Sequence, residues 1–229
     1  MTGLIAATPN RRLFLAGAMA SAALALPGCS SMGGVSFTEA IRRLLVLSSE
    51  RAFVRLASDD GYWDGAVAKV GLGEMLGSRG DVLGRILTSA LFKDRLVGAL
   101  ADVAERGSYR VAPVVAETVR TIGIENAIDL VRGGPTAATA FLRNGMNGSL
   151  VEVMLPEVGD AFQLTQEPLV SEALKLVAGR DISGAARSFA TRVDDAIWTE
   201  IGVEESAIRA NPRSTNDPLL MGVFGVAAG

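Results

Sequence analysis

From residue 37 onward the apolar residues return every three or four positions and almost never on alternate ones, and that spacing commits the chain to helices. Phe37, Ala40, Ile41, Leu44, Leu45, Ala52, Phe53, Leu56 and Ala57 share one side of a helical wheel, with Arg42, Arg43, Glu50 and Arg51 off it. One face packs and the other meets water. The pattern predicts a helix from Phe37 to near Ser58, closed by Asp59-Asp60-Gly61. No segment sustains period-two alternation and no long repeat is visible. Aromatic residues make up only 5% of the chain, so a core built of Ala, Leu and Val is expected. The expected fold is all-α, a single multi-helix bundle over residues 37–229.

Further along, residues 61–80 read as a loop with Tyr62 and Trp63 as its large groups. Helices are expected over 82–91, 93–105 and 111–122, with Gly107-Ser108 between the last two. A short helix over 124–132 stops at Gly133-Gly134, and Pro135 then suits the first turn of a helix reaching Arg143, where its missing N–H costs nothing. Residues 150–158 and 159–164 read as a helix or helix pair, 168–177 as another stopped by Gly179, and 183–209 as the longest run near the C-terminus, ended by Asn211-Pro212. Leu219, Leu220, Met221, Val223 and Phe224 are too apolar for a free tail and are expected to dock.

The first 36 residues obey different chemistry. Arg11 and Arg12 precede an apolar run, Leu13 to Leu26, too short for a comfortable span of about 20 apolar residues, and small residues follow it: the order of an export signal. Arg-Arg before Leu13-Phe14-Leu15 resembles the twin-arginine type. Leu26-Pro27-Gly28-Cys29 resembles a bacterial lipobox, in which the cysteine is acylated and becomes the first residue after cleavage. Cys29 is the one cysteine in 229 residues. The expected organisation is therefore a signal peptide over 1–28, a lipidated tether over 29–36 and the helical domain beyond. An Asp after Cys29 would resemble an inner-membrane retention signal; Ser30 stands there, which favours the outer membrane.

Cleavage removes 28 residues and leaves 201, enough for one sizeable core. Losing Arg11 and Arg12 takes the formal net charge from −3 to −5, which argues against a nucleic-acid partner. With no histidine there is no Ser-His-Asp or Cys-His catalysis and no His-ligated metal; a lipidated Cys29 is no nucleophile. Gly71-Leu72-Gly73-Glu74-Met75-Leu76-Gly77 imitates a dinucleotide loop with no more than a short strand, Val67 to Val70, before it, and no cofactor is expected. Arg79-Gly80-Asp81 reads as a helix stop and N-cap, not an adhesion signal.

The last long helix carries a puzzle. Counting 100° per residue from Val193, Ala196, Ile197, Ile201 and Ile208 fall at about 300°, 40°, 80° and 60°, Glu204 at about 20° and Glu205 at about 120°. Glu204 is thus expected inside the buried stripe, partnered by Arg143 or by backbone N–H groups of the Gly133-Gly134 corner, and Glu205 at its edge.

Residues 128–143, the group Asp195-Ala196-Ile197-Trp198 with Glu204-Glu205 and residues 208–212, and residues 219–225 are similar in order and spacing to the bacterial family known as domain of unknown function 4197. Gly71 and Gly73 stand where that family usually has proline, and Pro135 where it has an acidic residue. The resemblance implies an α-helical, mostly exported bacterial protein and carries no established activity. The function expected is a lipid-anchored periplasmic module, binding or structural, with the membrane and an unidentified envelope component as partners. The alternative is a carboxylate-dependent hydrolase acting on glycan, with Glu204 or Glu205 joined by Glu105 or Asp195.

Overall fold

The computed structural model describes residues 36–58, 61–69, 90–164 and 182–225. The stretches read as signal peptide and lipobox, the Gly71–Gly77 loop, the Arg79-Gly80-Asp81 tripeptide, the 168–177 helix and most of the 82–91 helix fall outside those residues. Within them the chain is all-α, with no strand: α1 Phe37–Leu56, α2 Tyr62–Lys69, α3 Ala90–Thr121, α4 Ala127–Arg132, α5 Ala137–Met146, α6 Ser149–Leu164, α7 Ile182–Ala210, a 3-10 turn Pro212–Thr215 and α8 Pro218–Phe224. No helix among them is long and apolar enough to cross a membrane.

Helix α1 is the hub, packing on α7, α3, α4, α5 and α8. Ser36 starts it, its hydroxyl accepting the Glu39 N–H at 3.2 Å, and Glu39 pairs with Arg43 one turn on, favourable for an acid near a helix start. Ala40, Ile41, Leu44, Leu45, Ala52 and Leu56 are fully buried. Ser48, on the same face, is tolerated because its hydroxyl donates to the Leu44 carbonyl at 2.8 Å. Arg42 reaches the far end of α3, donating to the carbonyls of Val119, Arg120 and Ile122. Those carbonyls lack helical partners, and a cation there also meets the negative end of the helix dipole.

Two expectations about breaks are corrected, the one between residues 91 and 93 and the one at Gly107-Ser108, since α3 is continuous from Ala90 to Thr121. Gly107-Ser108 does not interrupt α3, which runs through it. A Cβ on Gly107 would lie 3.3 Å from the Met154 Sδ, so this glycine admits α6 at close range; Ser108 is buried, its hydroxyl satisfied by the Glu105 carbonyl at 2.7 Å. Pro113 in α3 and Pro156 in α6 also lie inside helices, held there by packing of Val111, Val115, Met154 and Val158, all buried, against the local cost of a missing N–H. Residues 150–164 accordingly form one helix. Pro135 sits in the turn before α5, which begins at Ala137.

The stretch expected as a loop from residue 61 opens with a helix, α2. Gly61, at φ 76°, makes the left-handed bend that reverses the chain, and the Trp63 indole N–H donates to the Leu56 carbonyl at 2.8 Å, tying α2 to the end of α1. Trp63 and Val67 are buried. Tyr62 stands edge-on to Trp63, ring centres 5.3 Å apart.

The C-terminal segment docks as expected, as α8, with Leu220, Val223 and Phe224 buried. Asp217 caps it, accepting the N–H groups of Leu219 at 2.8 Å and Leu220 at 3.2 Å, and pairs with Arg43 of α1 at 2.9 Å. Burial works against the Asp217 charge, but Arg43 and the two N–H groups outweigh it and lower its pKa. The stability it adds is therefore present above the ordinary carboxylate pKa and lost as pH falls through the lowered one. Asp217→Ala is expected to cost about 1 kcal/mol at neutral pH, and denaturant unfolding at several pH values should show the gap closing in acid. A gap that widens in acid would refute the assignment.

Candidate functional site

The corner where α5 meets α7 gathers most of the residues singled out in the sequence. Glu205 is fully buried. One carboxylate oxygen accepts the Ala138 N–H at 3.0 Å and the other the Thr139 N–H, at 2.6 Å. Both donors belong to the first turn of α5, whose N–H groups have no partner within the helix. Arg209, one turn on, donates from Nε to Glu205 at 2.7 Å and from its two terminal nitrogens to the carbonyls of Leu130 and Val131 at 2.9 and 3.1 Å. Its guanidinium also lies 4.8 Å over the Phe224 ring. One ion pair thus fastens the end of α4, the start of α5, α7 and α8.

The buried acid is therefore Glu205, and Glu204 is half-buried, the reverse of expectation. The first half of α7 buries the arc around Val193 and Ile197. Near residue 202 the neighbour becomes α5, which lies around to the side of Trp198 and Gly202, so the buried arc turns toward about 120–180°, where Glu205 and Arg209 fall. Gly133 and Gly134 do not donate to it; the N–H groups used come four and five residues after Gly134. Gly133 keeps the corner tight, since a Cβ there would meet the Ala137 Cβ at 2.6 Å.

Arg143 pairs elsewhere, with Asp194 at 3.1 Å and with Asp195. The Trp198 indole N–H donates to the other Asp194 oxygen at 2.9 Å. Burial raises the Asp194 pKa, opposed by Trp198 and Arg143. Arg209 and Asp194 were not singled out from the sequence; the i,i+4 spacings Glu205–Arg209 and Asp194–Trp198 were the available signals.

Beside this lattice runs an open groove of about 520 Å³, lined by Thr136, Thr139, Ala140, Arg143, Trp198, Thr199, Gly202, Val203 and Ser206. Gly202 makes it possible: a Cβ there would lie 3.2 Å from the Thr136 Cγ2. No carboxylate is among the lining residues; Glu204 is on α7 outside it, Glu105 is half-buried on α3 and Asp195 is engaged by Arg143. Among the described residues no group of three or more Cys, Asp or Glu is placed to hold a metal ion.

A family model described as a protein of unknown function, DUF4197, matches residues 31–225. The chain belongs to this family. The match takes in every helix described above, and the stretches on which the resemblance first rested, residues 128–143 and 195–212, are those that meet at the Glu205 corner of this DUF4197 domain. No curated protein and no solved structure matches the chain.

Besides Glu205 and Asp194, a further acid of the DUF4197 domain is buried on another side of α7. Glu200 pairs with Arg55 at 3.0 Å and accepts from Tyr62, whose phenol is pushed up to about 12, first by burial and then by the Glu200 charge. Stability from the neutral phenol is complete below its ordinary pKa and lost as pH rises through the raised one. The chain has two tyrosines, so ultraviolet titration of a Tyr109→Phe variant reads Tyr62 alone. The expected midpoint is about 12; a midpoint at an ordinary tyrosine value, about 10, would show that burial and Glu200 do not act on it.

Proposed function

We propose that this protein is a lipid-anchored module of the cell envelope, held on the periplasmic side of a bacterial membrane, with the outer membrane favoured, through acylated Cys29, and that its helical domain binds another envelope component along the α5–α7 groove. The observation that carries the binding reading is the groove's composition: an open trough with hydroxyls and an arginine on its walls and no carboxylate. The carboxylate-dependent hydrolase is the weaker reading, since two acids would have to face one bond. Glu205 has both oxygens engaged by Ala138, Thr139 and Arg209. The anchoring rests on Leu26-Pro27-Gly28-Cys29 and on Arg11-Arg12 before the apolar run. One acyl chain is a marginal anchor, and a diacylated, N-acylated cysteine supplies several.

Cys29→Ala is expected to move the protein from the membrane fraction to the soluble or unprocessed pool, and intact mass of the wild type should carry the added lipid. A variant that stays with membranes after a high-salt wash, beside a wild type of unmodified mass, would end the lipoprotein reading. Crosslinking in the intact envelope, from positions on the groove and on the opposite face, tests the binding reading. Products should form from the groove positions and be absent from the others.

A further inference from the structure

Next to the α5–α7 groove lies an acid that is buried with little to compensate its charge. Asp194 is 5% exposed and accepts two hydrogen bonds, from the Trp198 indole N–H on Oδ1 and from Arg143 Nη2 on Oδ2. The same nitrogen bonds Asp195, so two adjacent carboxylates share one guanidinium and the three side chains carry a net negative charge. Glu205, by contrast, accepts from three donors, and the arginine among them pairs with no other acid of the described residues. Asp195 and Arg143 are about half exposed and keep water as a partner. Asp194 does not.

We propose that Asp194, Arg143 and Trp198 form an acid-operated switch in the groove wall: one proton taken up on Asp194 Oδ2 releases Arg143 from the buried acid and leaves its guanidinium to Asp195 and the groove. The proton settles on that oxygen because a protonated acid still offers its carbonyl oxygen, here Oδ1, to the indole N–H. An O–H on Oδ2 then faces the Nη2–H, donor against donor, and that contact gives way. Arg143 lies on the open groove and has room to move. The direction follows from the surroundings: burial and, to a smaller extent, the Asp195 charge favour the neutral acid, Trp198 and Arg143 oppose them, and burial prevails, raising the pKa. Arg143 is the charged group that reaches Asp194 from another helix. Among the described residues no charged side chain of α1, α3 or α6, which also pack on α7, bonds to it. Stability tied to Asp194 is therefore complete below the ordinary carboxylate pKa and falls as pH rises through the raised one, the reverse of Asp217.

The test is an acid titration of the detergent-solubilised full-length protein, followed by proton–nitrogen correlation NMR of the Trp198 indole N–H and the Arg143 Nε–H. The chain has two tryptophans, so Trp63→Phe assigns the first signal, and Arg143→Gln assigns the second. Both signals should shift together, with a midpoint above the ordinary aspartate value of 3.8, while helical ellipticity holds. Asp194→Asn, which keeps the shape without the charge, should show neither shift and should place the Arg143 signal at its acid position already at neutral pH. Asp195→Asn, which removes the like charge, should lower the midpoint; Arg143→Gln, which removes the cation, should raise that of the indole. The proposal is overturned if the wild-type midpoint lies at or below 3.8, if the shifts persist in Asp194→Asn, or if the indole signal moves without that of Arg143. It is equally overturned if either neighbouring variant moves the midpoint the other way, or if ellipticity is lost before the signals move. None of these outcomes depends on what the groove binds.

Discussion

Glu205→Ala is expected to destabilise the domain by about 3–5 kcal/mol, the cost of breaking a buried ion pair from one side. The carboxylate satisfies three donors, the N–H groups of Ala138 and Thr139 and the Arg209 Nε. Its removal strands all three, and Arg209, with only 10% of its side chain exposed, stays behind as an uncompensated charge. Glu205→Gln should be almost as damaging, because an amide has one acceptor oxygen and would turn its NH2 toward a donor. Glu204→Ala is the control and should cost far less, within about 1 kcal/mol. Denaturant unfolding of a soluble form starting at Ser30 measures all three. A Glu205→Ala midpoint equal to wild type, with Glu204→Ala strongly shifted, would reverse the assignment.

Phe189→Ala should be of similar size, about 3–5 kcal/mol. Phe189 is fully buried on α7, the helix that packs on both α1 and α6. Removing the ring forfeits its transfer free energy and leaves a void that neighbouring helices, pinned at both ends, only partly close. Val54→Ala on α1 is the counter-case: Val54 is 73% exposed, and the change should stay within about 0.5 kcal/mol. Since domains of this size are stable by only about 5–15 kcal/mol, either the Glu205 or the Phe189 change removes a large part of the margin. Equal unfolding of Phe189→Ala and wild type would mean that α7 does not sit against the core as described.

The helical class, the extent of α1 and α7 and the docking of residues 218–224 were all legible in the spacing of apolar residues, because each of these segments buries one continuous face. Breaks were less legible. Gly107 looked like a stop and serves as a contact point for Met154; from the sequence alone a glycine that ends a helix and one that admits another helix are the same letter. A buried acid near residue 204 was foreseen, with backbone N–H groups near the glycine corner among its partners, and it was placed one residue too early. A helical wheel gives direction without saying which neighbour stands there, and at that end of α7 the neighbour is a polar helix start, not a hydrocarbon face. Arg143 was offered as a partner from another helix, and it pairs with Asp194 and Asp195; Arg209, four residues from Glu205 on the same helix, was the nearer choice. The groove itself was not legible, since it exists only where two separated segments cross at Gly202.

The salt bridge between Arg43 and Asp217 joins residues 174 apart in the chain, and α1 finds its most extensive partner in α7. Order of arrival follows from that. As the polypeptide emerges, Ile41, Leu44 and Leu45 are made early, and the cover of α1 is complete only once α7 and α8 have followed, so closure depends on distant pairing, the slow step that most helical proteins avoid by folding through neighbours. A premature stop ahead of α7 would then leave α1 without its most extensive partner, and the damage from losing the last fifth of the chain would be felt near its beginning.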